Sequence, residues 1–174
     1  LVRYSAIMLL FFFFFSGYGD HRDLHSCPTR RSSDLANEVY QMLDGKQRKV
    51  ALLGKSRGER GNKTIELTGK KKGLDGIRVG DLTGDQKDHV RKVLADLLAP
   101  FRKKDSAEAL KHVEAGGIDN LHLAFYKDEN IGNDEVWDVW QIEGPNMISY
   151  FRGKPHVHAW LHIQIGRASC RERV

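Results

Sequence analysis

Val136-Trp137-Asp138-Val139-Trp140-Gln141-Ile142-Glu143, then Gly144-Pro145-Asn146, then Met147-Ile148-Ser149-Tyr150-Phe151-Arg152 is the stretch that decides the fold. β-Branched and aromatic residues fill both runs, and a Gly-Pro-Asn turn joins them, which is the pattern of an antiparallel hairpin. A further run, His156 to Ile163, follows a turn through Gly153 and Lys154. Another, Leu121 to Tyr126, comes before, across the polar connection Lys127 to Glu135 with its Gly132-Asn133-Asp134 turn signal. Short connections between successive strands predict an antiparallel four-stranded meander.

Upstream of Ile118 the apolar period is helical. Thr83 with Gln86 three residues later forms a capping-box signal, and Val90, Val93, Leu94, Leu97 and Leu98 recur at helical spacing until Pro100. A second helix is expected from Ser106 to Ala115, where Gly116-Gly117 stops it. A shorter one covers Asn37 to Leu43 and ends at Asp44-Gly45. The predicted class is therefore α+β, with a helical pair packed on the C-terminal meander. His89 and His112 lie on the helices among charged residues and read as surface groups.

The last strand carries the chemistry. His156, His158, Trp160 and His162 share one face, while Val157, Ala159, Leu161 and Ile163 form the aliphatic face that belongs to the core. Neighbouring same-face Cα atoms lie about 7 Å apart, close enough for two imidazoles to converge on one ion. His156 and His158 are the metal-ligand candidates, with His122 as the third and Asp138 and Glu143 as carboxylate alternatives. Imidazoles without thiolates suit a divalent transition metal such as zinc or iron. In the competing reading these histidines are structural. Trp140, Arg152 and Trp160 are candidates for holding an unidentified small-molecule ligand, although large aromatics are also ordinary core material and an arginine beside a turn is usually solvated. Glu143 is a candidate catalytic base only if a partner lies near it.

The lead-in is basic. Lys46 to Lys72 holds ten Lys or Arg against Glu59 and Glu66, broken by Gly54, Gly58, Gly61, Gly69 and Gly73. No aromatic side chain is interleaved there to stack bases, so nucleic acid is a poor partner and a solvated connection the simpler expectation. Lys49 to Leu53 resembles a short strand, and Gly54-Lys55-Ser56 imitates the end of a phosphate loop. Lys49 stands where that loop needs its first glycine, which rejects a nucleotide-triphosphate site.

Both ends read as translated sequencing adapter. Opposite strands of one oligonucleotide encode Ile165 to Val174 and, apart from Cys27, His25 to Asp34. On that expectation residues 1–35 and 165–174 are not native, 36–80 is a basic lead-in and 81–164 an α+β domain. The apolar run Leu1 to Phe15 then only imitates a secretory signal. Both cysteines fall in these ends, which leaves no disulfide framework or thiolate site between 36 and 164. Of 28 basic and 23 acidic residues, 7 and 4 leave with the ends, so a net charge of +5 becomes 21 against 19, or +2. The region between them has no apolar run long enough to span a membrane.

The Trp140-Gln141-Ile142-Glu143-Gly144-Pro145 element followed by His156-Val157-His158 resembles the C-terminal part of the bacterial family called domain of unknown function 3500. The Leu82 to Gln86 helix start and the Leu121 to Tyr126 strand fit the same order. The resemblance covers Asp81 to Ile163 well and Ala36 to Gly80 loosely. It implies no activity, because the family carries none. It does imply a fragment of a longer, exported protein, periplasmic or extracellular, whose first half has a further histidine-rich element of Gly-His-His type. The function expected is a ligand-binding or structural module with a His-x-His metal site. The alternative is a metal-dependent hydrolase or oxidoreductase using His156 and His158.

Overall fold

In the computed structural model the described residues are 28–165, apart from Asn62, Glu129, Asn133 and His156. The chain opens with helix α1 (Pro28–Met42), which runs across the boundary drawn at Leu35, and helix α2 (Gly45–Ala51) follows after a two-residue break. The Asp44 carboxylate accepts from the Lys46 and Gln47 N–H groups, and the Gln47 side chain accepts from Asp44 N–H. This reciprocal cap starts a helix where the apolar run Lys49 to Leu53 suggested a strand, so only β1 (Leu52–Leu53) remains extended. Asp44-Gly45 thus begins one helix as well as ending another.

Helix α3 (Gly84–Leu98) begins where the sequence signal placed it: Gln86 Oε1 accepts from Thr83 N–H at 2.9 Å. Helix α4 (Lys103–Gly116) starts three residues before Ser106, because the Ser106 hydroxyl donates back to Leu98 O at 2.8 Å instead of capping. The Gly117 backbone, at φ 87, ends it in a conformation that favours glycine.

The sheet has order β1-β3-β4-β5-β6, with β2 (Ile77–Arg78) also on β3 (His122–Tyr126). Strands β3, β4 (Val139–Glu143), β5 (Met147–Arg152) and β6 (His158–Ile163) form the expected antiparallel meander. The whole is six-stranded and mixed, because β1 joins β3 in parallel at Leu52↔Phe125 and Leu53↔Tyr126. Four α-helices, not a pair, accompany it among the described residues. β2 escaped prediction because a two-residue strand has no period to read. Beside β2, Gly76 sits at φ +91 with its Cα pressed on β3; a Cβ there would lie 2.2 Å from Leu123 O.

Each face of the sheet has its own cover. On one, Leu123, Phe125, Trp140, Ile142, Met147, Phe151, Leu161 and Ile163 are buried with Ala36, Val39 and Tyr40 of α1, Val90, Val93 and Leu94 of α3 and Ala109 and Val113 of α4. Val157 and Ala159 pack against this core, as the alternation in the last strand predicts. On the other face Ala124, Tyr126, Val139, Ile148 and Tyr150 cluster with Ile65, and Leu53, Leu67 and Trp160 pack against them. Among the described residues no α-helix covers that second face. Its cover is the glycine-rich segment 54–75, which crosses the sheet as a strap rather than looping into solvent. Among the described residues no helix is long and apolar enough to cross a membrane.

Candidate functional site

Register fixes what the strap covers. Rows running across β3, β4, β5 and β6 place His122, Glu143, Ile148 and His162 in line, then Ala124, Gln141, Tyr150 and Trp160, with Val139, Arg152 and His158 in the row beyond. Polar groups at alternate positions of strands that are buried throughout must find partners or pay heavily in desolvation. Two strap residues supply them.

Arg57 reaches one end of the face. Its Nε donates to Gln141 Oε1 at 2.7 Å, its Nη1 to Thr64 O at 3.0 Å and its Nη2 to the Glu143 carboxylate. Thr68 Oγ1 donates to the other Glu143 oxygen at 3.2 Å. Glu143 is only 2% exposed, so it is a buried carboxylate held by one charge-assisted bond from Arg57 and one bond from the Thr68 hydroxyl. It does have the partners a catalytic base requires, but both of its oxygens are already engaged by them.

Glu59 reaches the other end. Arg152 donates through Nε to Glu59 and through Nη1 to Lys154 O, and its Nη2 lies 2.6 Å from His158 Nδ1. The same His158 nitrogen is 3.0 Å from Glu59 Oε2. Arg152 is 8% exposed, which corrects the picture of a solvated turn arginine. Trp160 meets the His158 ring edge-on, with centroids 5.1 Å apart, and lies 5.7 Å from Tyr150.

Two buried polar atoms between these ends have no partner among the described residues, Gln141 Nε2 and His162 Nε2. His162 Nδ1 sits 3.0 Å from Ile65 O and so carries the proton, which leaves Nε2 as a bare acceptor. Beyond them, the Tyr126 hydroxyl donates toward Asp75, and burial pushes its pKa far above the usual phenol range.

A family model described as "Protein of unknown function (DUF3500)" matches residues 19–164. The chain belongs to this family. No curated protein and no solved structure matches it. In this DUF3500 chain the sequence candidates separate. His156 lies outside the described residues. His158 is brought to Arg152 and Glu59, whereas His122 is three strands across and four residues along, roughly 20 Å at ordinary strand spacing and rise. No group of three or more His, Cys, Asp or Glu able to hold a metal occurs among the described residues. Asp138 accepts from Ile131 N–H at 2.7 Å at the strand entrance, where burial raises its pKa. Trp140 is fully buried on the helix side, its indole donating to Ser33 Oγ at 3.2 Å, while Trp160 is half-buried on the strap side. Trp137 stacks edge-on with Tyr40, and His89 pairs with Glu38.

Arg57, Glu59, Thr68, Gln141 and His162 were not anticipated. The signal for Gln141 and Glu143 was present, since polar residues alternating inside an apolar run mark a face that something must cover.

His122 gives this DUF3500 face a pH signature. Desolvation lowers its pKa below the ordinary imidazole value of about 6.5, outweighing the hydrogen bond to Asn120 O. The unfolded chain then binds a proton that the folded chain refuses, so the contribution is complete above about 6.5 and is lost as pH falls through the lowered folded value. Urea midpoints are expected to drop between about pH 7.5 and 5.5, and less steeply in a His122→Gln variant. Equal slopes in the two proteins would remove His122 from the account.

Proposed function

We propose that the chain is a noncatalytic ligand-binding module whose site is the strap-covered face of the sheet. The observation that carries this reading is a pair of buried atoms with no partner among the described residues, Gln141 Nε2 beside Tyr150 and His162 Nε2 two residues along the strand from Trp160. Leaving a buried donor or acceptor unpaired costs about 1–3 kcal/mol, and such groups in a folded protein call for an explanation. A polar ligand removes the cost. It must present an acceptor to the Gln141 amide and a donor to His162, and a hydroxyl does either. A polyhydroxylated small molecule with one flat face against Trp160 answers all three demands.

The metal reading has one supporting observation: Glu59 beside His158 Nδ1 is the carboxylate partner that orients a ligating imidazole. Arg152 weighs against it, because a buried guanidinium 2.6 Å from that nitrogen disfavours a second cation. Elemental analysis of the protein beside a His156→Ala, His158→Ala variant decides. Stoichiometric metal in the first protein alone would establish a His156 and His158 metal site and call for activity screens with that metal.

The binding reading is tested by titrating monosaccharides and polyols while following the Trp160 indole and Gln141 amide resonances. The expected result is a ligand that moves the two together. If no compound binds, or those that bind move only resonances on the helix side, the proposal fails.

A further inference from the structure

The strap's own chemistry identifies a subsite within the proposed face. Arg152 is buried and its guanidinium faces a carboxylate, and the imidazole of His158 faces the same carboxylate. That carboxylate belongs to Glu59 of the strap, whose neighbour Arg60 donates its backbone N–H to Thr64 Oγ1 at 2.8 Å. Its neighbours Gly58 and Gly61 have positive φ, at 68 and 59, and a Cβ at either would meet nothing within 4 Å. Open space beside both glycines leaves room for the Glu59 side chain to swing toward solvent. The Glu59 side chain is 27% exposed against 10% for Arg152, so the carboxylate is the solvent side of the pair and the guanidinium its floor.

We propose that Arg152, with His158 accepting from it, forms a carboxylate-binding subsite which Glu59 fills as an internal stand-in, and that the carboxylate of the ligand takes its place. This rests on the reading of the face as a ligand site and specifies the ligand further, as a hydroxylated organic acid. A planar guanidinium supplies parallel donors matched to a carboxylate, and its burial makes the exchange one of carboxylate for carboxylate rather than of carboxylate for water. Arg57 does not move in this exchange. Its side chain is anchored separately on Gln141, Thr64 and Glu143, which holds the strap on either side of Glu59.

An internal carboxylate competes at an effective concentration in the millimolar range or above. Removing it must uncover the subsite. The full chain and its Glu59→Ala variant are titrated with sodium acetate, against sodium chloride at equal ionic strength, while the Arg152 Nε–H resonance is followed. Acetate is expected to bind Glu59→Ala at least tenfold more tightly than the parent chain, and binding is expected to vanish when Arg152→Gln is added. Glu59→Gln keeps the side-chain volume and removes the charge; it is expected to fall between the two and serves if the alanine variant does not fold. Equal acetate affinity with and without Glu59, or binding that survives Arg152→Gln, overturns the subsite. A neutral polyol that still moves the Trp160 and Gln141 resonances in that event leaves the face as a binding site and removes only the carboxylate from its ligand.

Discussion

Arg57→Ala is expected to lower stability by about 3 kcal/mol, the low end of the cost of breaking a buried ion pair. One substitution strips a donor from Glu143, Gln141 and the Thr64 carbonyl together, and leaves a carboxylate that is 2% exposed with only the Thr68 hydroxyl. Arg57 itself is 22% exposed at the side chain, and its own solvation in the folded state keeps the figure from going higher. Lysine does not rescue it, because a point charge cannot serve partners that lie in different directions. Pairing Arg57→Met with Glu143→Leu is expected to recover most of the loss, since apolar residues of similar volume often replace a buried pair without cost. Urea unfolding of the four proteins measures all of this, and a loss under about 1 kcal/mol for Arg57→Ala would mean that the strap is not clamped at this end.

Gly76→Ala has a comparable expected effect, roughly 3 kcal/mol, from a different cause. Its φ of +91 already strains an L side chain, and the added Cβ would sit 2.2 Å from Leu123 O and 2.7 Å from the Ala124 Cβ. Backbone must move, and what moves is the Ile77↔Leu123 pairing immediately after it. Gly73 separates the two contributions, because it has φ +70 and open space around it. Gly73→Ala should therefore cost only the dihedral part, about 1 kcal/mol. If both alanines cost the same in thermal unfolding, the close approach to β3 is not what holds Gly76.

The meander was legible because its strands are long enough to show a period and its turns announce themselves. Met147–Arg152 was placed to the residue, and the division of the last strand into a histidine face and an aliphatic face corresponds to the two cores on either side of the sheet. The family, too, was readable in the Trp140 to Pro145 element. What stayed hidden was held by contacts distant in sequence. The strap has the composition of a solvated linker, and nothing local tells Arg57 or Glu59 apart from Lys55 or Arg60. Only the sheet assigns them, by offering Glu143 and Arg152 at the matching positions. Asp44 was misread for the opposite reason: its capping chemistry is local, but a helix had just been taken to end there.

The strap also orders the assembly of the molecule in time. The hairpins of the meander join neighbours, whereas Arg57 and Glu143 are 86 residues apart and Glu59 and Arg152 are 93 apart. Closing loops of that length before the sheet exists would cost entropy with no contact to reward it. On a ribosome, segment 54–75 emerges long before β4 and β5, and must wait in water. Its glycines and lysines suit that wait, since they give it no reason to collapse and little to aggregate through. The segment expected to become native last is thus made before the strands it closes over.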